Sequence, residues 1–187
     1  MKKIIFALFV CILCQYTGVF SADFKEGKKM KVLVIFYSRT GNTELVAKTI
    51  AQMLNADLRK VEEVKERKGI WGFLSGGIDA LKNKCSDIKP VDFDLANYDL
   101  VFVGSPIWAS KTTPAINAFI SKTDFKNKNV VVFFTLGGNS FVGAVKDMTE
   151  KIEKKEGKVI GSFAIRSSKT KDEMIEKTKE AVKERCP

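Results

Sequence analysis

Beyond residue 30, four apolar runs and one looser alternating stretch punctuate the chain, and between them hydrophobic residues recur at the three-to-four spacing of helices. The first run, Val32 to Tyr37, has the continuous character of a strand buried on both faces. A helix is predicted over Asn42 to Leu54, with Leu45, Val46, Ile50, Met53 and Leu54 on one side. A looser alternation from Asp57 to Glu63 predicts a short, edge-like second strand. Residues 64–97 are less regular. Ile70-Trp71-Gly72-Phe73-Leu74, followed by Gly76-Gly77, predicts a glycine-interrupted turn entering a helix, with Trp71 and Phe73 packed beneath that helix. Asp87 to Asp94 reads as an extended link containing a proline. Further strands are predicted at Tyr98–Gly104, Asn129–Thr135 and Lys158–Ile165. Helices follow, one starting at Thr113-Pro114 as N-cap and first helical residue, then Val142–Lys154 and Lys171–Arg185.

Strands and helices that alternate in this way build a parallel sheet with helices on both faces. Right-handed crossovers leave few topologies for five such units. Ligands of open sheets of this kind sit beyond the carboxyl ends of the strands, where strand order reverses. Three loops of unusual composition follow strands one, three and four, and so share that edge. The first, Ser38-Arg39-Thr40-Gly41-Asn42-Thr43, joins a buried strand to a helix N-terminus and suits an anion such as phosphate. The alternative for this stretch taken alone is an ordinary turn whose hydroxyls cap the helix. Trp108 in the second loop could stack on a flat ring or pin the loop to the core, and Gly137-Gly138 in the third could admit a ligand or merely turn the chain.

Composition narrows the function. The 187 residues are 45% hydrophobic, enough for one domain with a sizeable core. Net charge is +10, but the 32 basic residues are scattered and not interleaved with exposed aromatics, a pattern that argues against specific nucleic-acid binding. With no histidine, the chain holds neither Cys–His or Ser–His nucleophilic machinery nor a His-ligated metal site, and no metal site is expected. Lys2 and Lys3, the apolar run Ile4–Cys14 and small-residue positions around Ser21 have the layout of an export signal spanning residues 1–21. Residues 22–29 would then be a linker and 30–187 the domain. An uncleaved anchor reaching Phe20 is the alternative, and only then is membrane attachment expected. A start at Met30 would leave the protein cytoplasmic, and a cleaved signal would make it periplasmic or extracellular. After cleavage Cys85 and Cys186 remain, too few for a disulfide framework although one bridge is allowed.

Y-S-R-T-G-N-T (37–43), Y-D-L-V-F-V-G-S-P-I-W-A-S (98–110) and T-L-G-G-N-S (135–140), in this order, resemble the flavodoxin family in its short form. The resemblance extends from Met30 to the C-terminus. It implies a doubly wound α/β fold, a five-stranded parallel sheet in order 2-1-3-4-5, binding one FMN. Ser38, Arg39, Thr40, Gly41, Asn42 and Thr43 would wrap its phosphate. Ser105, Pro106, Ile107, Trp108 and Ala109 would flank the isoalloxazine on one side, and Gly137, Gly138 and Asn139 on the other. Relatives of this type commonly have glycine where Ser110 stands and proline-rich sequence where Thr112-Thr113 stand, and electron carriers of the family are usually acidic, which this chain is not. The implied function is electron transfer with a redox partner protein, an acidic one suiting the lysines. A small NAD(P)H-dependent FMN reductase of quinones or nitro compounds is the alternative, and a flavodoxin-like scaffold without FMN a further one. No residue is assigned a catalytic role, since the flavin itself carries the chemistry. The three loops contain Arg39 and Lys111 and no acid, so a positive setting is expected around the cofactor. One charge about 8 Å away at an effective dielectric near 20 contributes about 2 kcal/mol.

Overall fold

The computed structural model describes residues 30–185, apart from 66, 68 and 139. The segment 1–29, with its expected signal and linker, lies outside the described residues, as does Cys186; Cys85 is exposed. Strands β1 (Val32–Phe36), β2 (Asp57–Lys60), β3 (Leu100–Pro106), β4 (Asn129–Leu136) and β5 (Lys158–Arg166) form one sheet. Its order is β2-β1-β3-β4-β5 and every pairing is parallel. The helices are α1 (Asn42–Leu54), α2 (Gly69–Leu81), α3 (Pro114–Lys122), α4 (Val142–Glu153) and α5 (Lys171–Lys183).

The period of two along each strand divides the core into two layers. Val32, Val34 and Phe36 of β1, with Phe102, Val131 and Phe133, face Val46, Ala47 and Ile50 of α1 and Met174 and Val182 of α5. Leu33 and Ile35, with Val101, Val103, Val132 and Phe134, face Ala80 of α2, Ile116 and Phe119 of α3 and Met148 and Ile152 of α4. Each large side chain buried completely in these layers contributes about 1.5–3 kcal/mol. The central strands β1, β3 and β4 are therefore apolar along most of their length because neither face meets water, whereas the edge strand β2 (D-L-R-K) and the ends of β5 are exposed and polar. Thr113 and Pro114 start α3 as the sequence predicts, and a Thr170–Glu173 capping box starts α5.

Residues 69–81 depart from the expected interrupted turn: they form one continuous helix. Four glycines lower its intrinsic propensity by about 1 kcal/mol each. Two of them are required by close packing. A β-carbon at Gly72 would stand 2.6 Å from the Arg67 backbone, and one at Gly76 would stand 2.4 Å from the Trp108 ring. Tertiary contact overrides propensity here. Trp71 is not packed beneath this helix but points out of it, 80% exposed. The link after α2 runs beside β2's continuation, where Val64 and Lys89 donate backbone hydrogen bonds to Asp87 and Glu62.

Candidate functional site

The three loops converge at the carboxyl edge of the sheet, and hydroxyls join the first to the third. Thr43, buried in the first turn of α1, shares a 2.7 Å hydrogen bond with Thr135 at the end of β4. The second loop meets the third through the Ile107 N–H, which donates to the Thr135 carbonyl.

Within the first loop, Ser38 is buried and its hydroxyl accepts the Gly41 N–H at 3.1 Å. Gly41 occupies the N-cap position with φ 90°, a conformation costly to any residue bearing a β-carbon. Among the described residues no side chain caps α1, so its first N–H groups, at the positive end of its dipole, are left without a side-chain acceptor. Thr40 is exposed at the loop tip, and Asn42 begins the helix half-buried. Arg39 turns toward α2, donating from Nη1 to the Gly69 carbonyl at 3.3 Å. α3 and α4 likewise start at this edge without side-chain caps, which adds to the positive potential there.

The second loop is built rigidly. Ser105 is fully buried; its hydroxyl accepts the Thr113 N–H and lies within hydrogen-bonding distance of the Pro106 carbonyl. Trp108 is only 6% exposed, its ring held edge-on by Tyr37 (centroids 5.8 Å apart) and covered by Gly76 of α2. Trp108 and Lys111 exchange both backbone hydrogen bonds, leaving Ala109 (φ 49°) and Ser110 (φ 61°) as an exposed two-residue turn. Both residues sit in the left-handed region without being glycine. Ser110→Gly relieves that strain at some entropic cost in the unfolded chain, and is expected to stabilise the fold by about 0.5–1 kcal/mol. A rise in the urea midpoint at unchanged slope checks this.

In the third loop, Gly137 and Gly138 are exposed, and Asn139 lies outside the described residues. A β-carbon placed at Gly41 or Gly138 would meet nothing within 4 Å. Both loops thus present bare backbone to open space, as a cradle for a ligand requires.

Two charged groups near these loops come from elsewhere in the chain. Asp147 of α4 is buried and accepts from Lys151 (2.6 Å), the Thr112 N–H (3.1 Å) and Lys111 (3.2 Å). Lys111 is therefore paired, contrary to the loop-only count, but two lysines around one carboxylate still leave a net positive charge. Arg166, at the end of β5, places Nη1 3.4 Å from the Gly138 carbonyl. The sequence signal for Asp147 was an acid on the apolar stripe of Ala144, Met148 and Ile152. Arg166 carried no comparable signal.

Burial pushes the Asp147 carboxyl up, but the Lys151 and Thr112 hydrogen bonds hold it below its ordinary value. A lowered native value means its stabilisation is present above the unfolded carboxylate range, near 3.9, and is lost as the pH falls through the native value. Asp147→Asn should therefore lower stability at pH 7 and lower it less near pH 3. Urea melts at the two pH values test this; a penalty independent of pH would contradict it. Tyr37 is shifted upward, mainly by burial and then by the charge of Glu63, to which its hydroxyl donates at 2.9 Å. It stays protonated and is no proton source for the site.

These features define a doubly wound α/β protein whose carboxyl edge gathers three loops and the N-termini of three helices. The chain belongs to the flavodoxin family: the family model described as Flavodoxin matches residues 78–186. A flavodoxin from Maridesulfovibrio salexigens is 31% identical over 157 residues, covering 78% of this chain and 92% of that protein. An uncharacterized protein from Methanocaldococcus jannaschii is 29% identical over 144 residues, covering 75% and 78% respectively. Among solved structures, a flavoprotein from Lactobacillus acidophilus in complex with FMN superposes with a TM-score of 0.64 at 23% identity. The match covers 80% of this chain and 99% of that one, and it establishes a shared fold.

Proposed function

We propose that this chain binds one FMN at the carboxyl edge of its sheet and acts in electron transfer. The observation that carries the reading is the uncapped α1 N-terminus behind Gly41, open to solvent and flanked by the exposed Thr40 hydroxyl. It would hold the phosphate through N–H groups and a hydroxyl, each charge-assisted bond contributing about 1.5–3 kcal/mol, with no lysine needed. The bare Gly137-Gly138 backbone and the Ala109-Ser110 turn would bound the ring. FMN, when bound, supplies hydride and single-electron chemistry. The chain supplies orientation and charge: three helix N-termini, Arg166 and the Lys111–Asp147–Lys151 group favour negative charge gained at this edge. Scattered lysines would steer an acidic redox partner.

The experiment is titration of the purified apoprotein with FMN, followed by NAD(P)H oxidation in the presence of a quinone. Stoichiometric binding with no turnover supports the carrier. Turnover favours the reductase, in which NAD(P)H and a small acceptor replace the protein partner. Absence of binding leaves the scaffold without FMN. The layout of residues 1–21 supports export, which mass spectrometry of the mature N-terminus checks.

A further inference from the structure

Helix α2 is apolar on the face where a soluble helix is normally polar. Gly76 and Ala80 form its buried side. On the opposite side Trp71, Leu74, Ile78 and Leu81 are all exposed, at the spacing that aligns them in one narrow stripe. Four of the eight exposed large hydrophobic residues among those described lie on this single helix. Asp79 is its only charged residue, and it is drawn away to Arg67 (2.9 Å) and Lys84 (3.1 Å). The stripe therefore carries no charge of its own.

We propose that α2 is a membrane-contact helix that lies in the headgroup region of an anionic bilayer. Three properties favour lipid over another occupant. The stripe is the outer ridge of a helix, led by a tryptophan, the side chain best suited to a membrane interface. The flanking sequence is basic: residues 59–90 contain eight Lys or Arg against five acids, so anionic headgroups complement it. A two-fold pairing of α2 with a second copy would instead bring two such basic rims together. The N-terminal segment reaching Phe20, where retained as an anchor, would add a second attachment in the same chain.

The two tryptophans make the test local, because Trp71 is exposed and Trp108 is buried. The full chain is mixed with vesicles of phosphatidylcholine alone, and of phosphatidylcholine with phosphatidylglycerol. With the anionic vesicles, Trp emission should shift to the blue and become protected from an aqueous quencher, a change absent in Trp71→Phe. Leu74→Glu/Ile78→Glu, at exposed positions, should lower vesicle partitioning at least tenfold at unchanged circular dichroism. If Trp71 stays equally quenchable with vesicles present, any attachment runs through the N-terminal run and the proposal fails. It fails equally if sedimentation without lipid shows a concentration-dependent dimer that the double substitution abolishes.

Discussion

Glu63→Ala is expected to lower the folding stability by about 2–4 kcal/mol, the cost of leaving the buried Tyr37 hydroxyl without its acceptor and Arg67 with Asp79 as its remaining carboxylate. Glu63 is buried, and its carboxylate accepts from the Tyr37 hydroxyl at 2.9 Å, from Arg67 Nε at 3.0 Å and from the Ser86 hydroxyl. Arg67 then reaches Asp79 of α2 at 2.9 Å, and Ser86 beyond α2 at 3.3 Å. One carboxylate thus joins the end of β1 to both ends of the α2 segment. For a domain of this size the loss corresponds to a melting-temperature fall on the order of 10 °C. Thermal melting of the variant measures it, and Glu63→Gln, which keeps one acceptor, should lose less. Because α2 covers Trp108, the Ala variant should also expose that ring, and its emission should shift to the red. A fall of less than about 1 kcal/mol would mean that the network is solvated and contributes little.

How far the sequence announced this structure depends on how local each cause is. The buried strands were legible because their apolar runs need only be counted, and the sheet order followed from the family resemblance. Thr113-Pro114 and Asn42 marked their helices correctly. Helix α2 was illegible because its glycines face Trp108 and the Arg67 backbone, contacts that exist only once the loop after β3 has been folded against it. The same contact covers Trp108, whose position just past a strand had suggested a ring platform. Charge around the loops is illegible for a related reason. Asp147 and Arg166 reach the site from α4 and β5, outside the three loops themselves. Local pattern reports which faces are apolar; it does not report which distant side chain neutralises a loop.

Thr40→Asp should weaken FMN binding about 100-fold while leaving the apoprotein fold intact. Thr40 is exposed at the tip of the first loop, between buried Ser38 and the N-cap Gly41, so a carboxylate there disturbs no packing. A bound phosphate at the α1 N-terminus would lie within about 5 Å of it. At an effective dielectric near 20 the repulsion is about 3 kcal/mol, which is the stated change in affinity. The sign distinguishes an anion cradle from an ordinary turn. In a turn that merely begins a helix, an acid near the N-terminus is stabilising by about 0.3–1 kcal/mol, so the apoprotein should melt slightly higher. In a phosphate site the same carboxylate competes for the N–H groups that the cofactor needs. The variant is therefore expected to gain stability without FMN and lose affinity for it, and Thr40→Ser, which keeps the hydroxyl, should do neither. Calorimetry of both variants with and without FMN reads the two effects separately. Unchanged FMN affinity in Thr40→Asp would move the phosphate away from this loop.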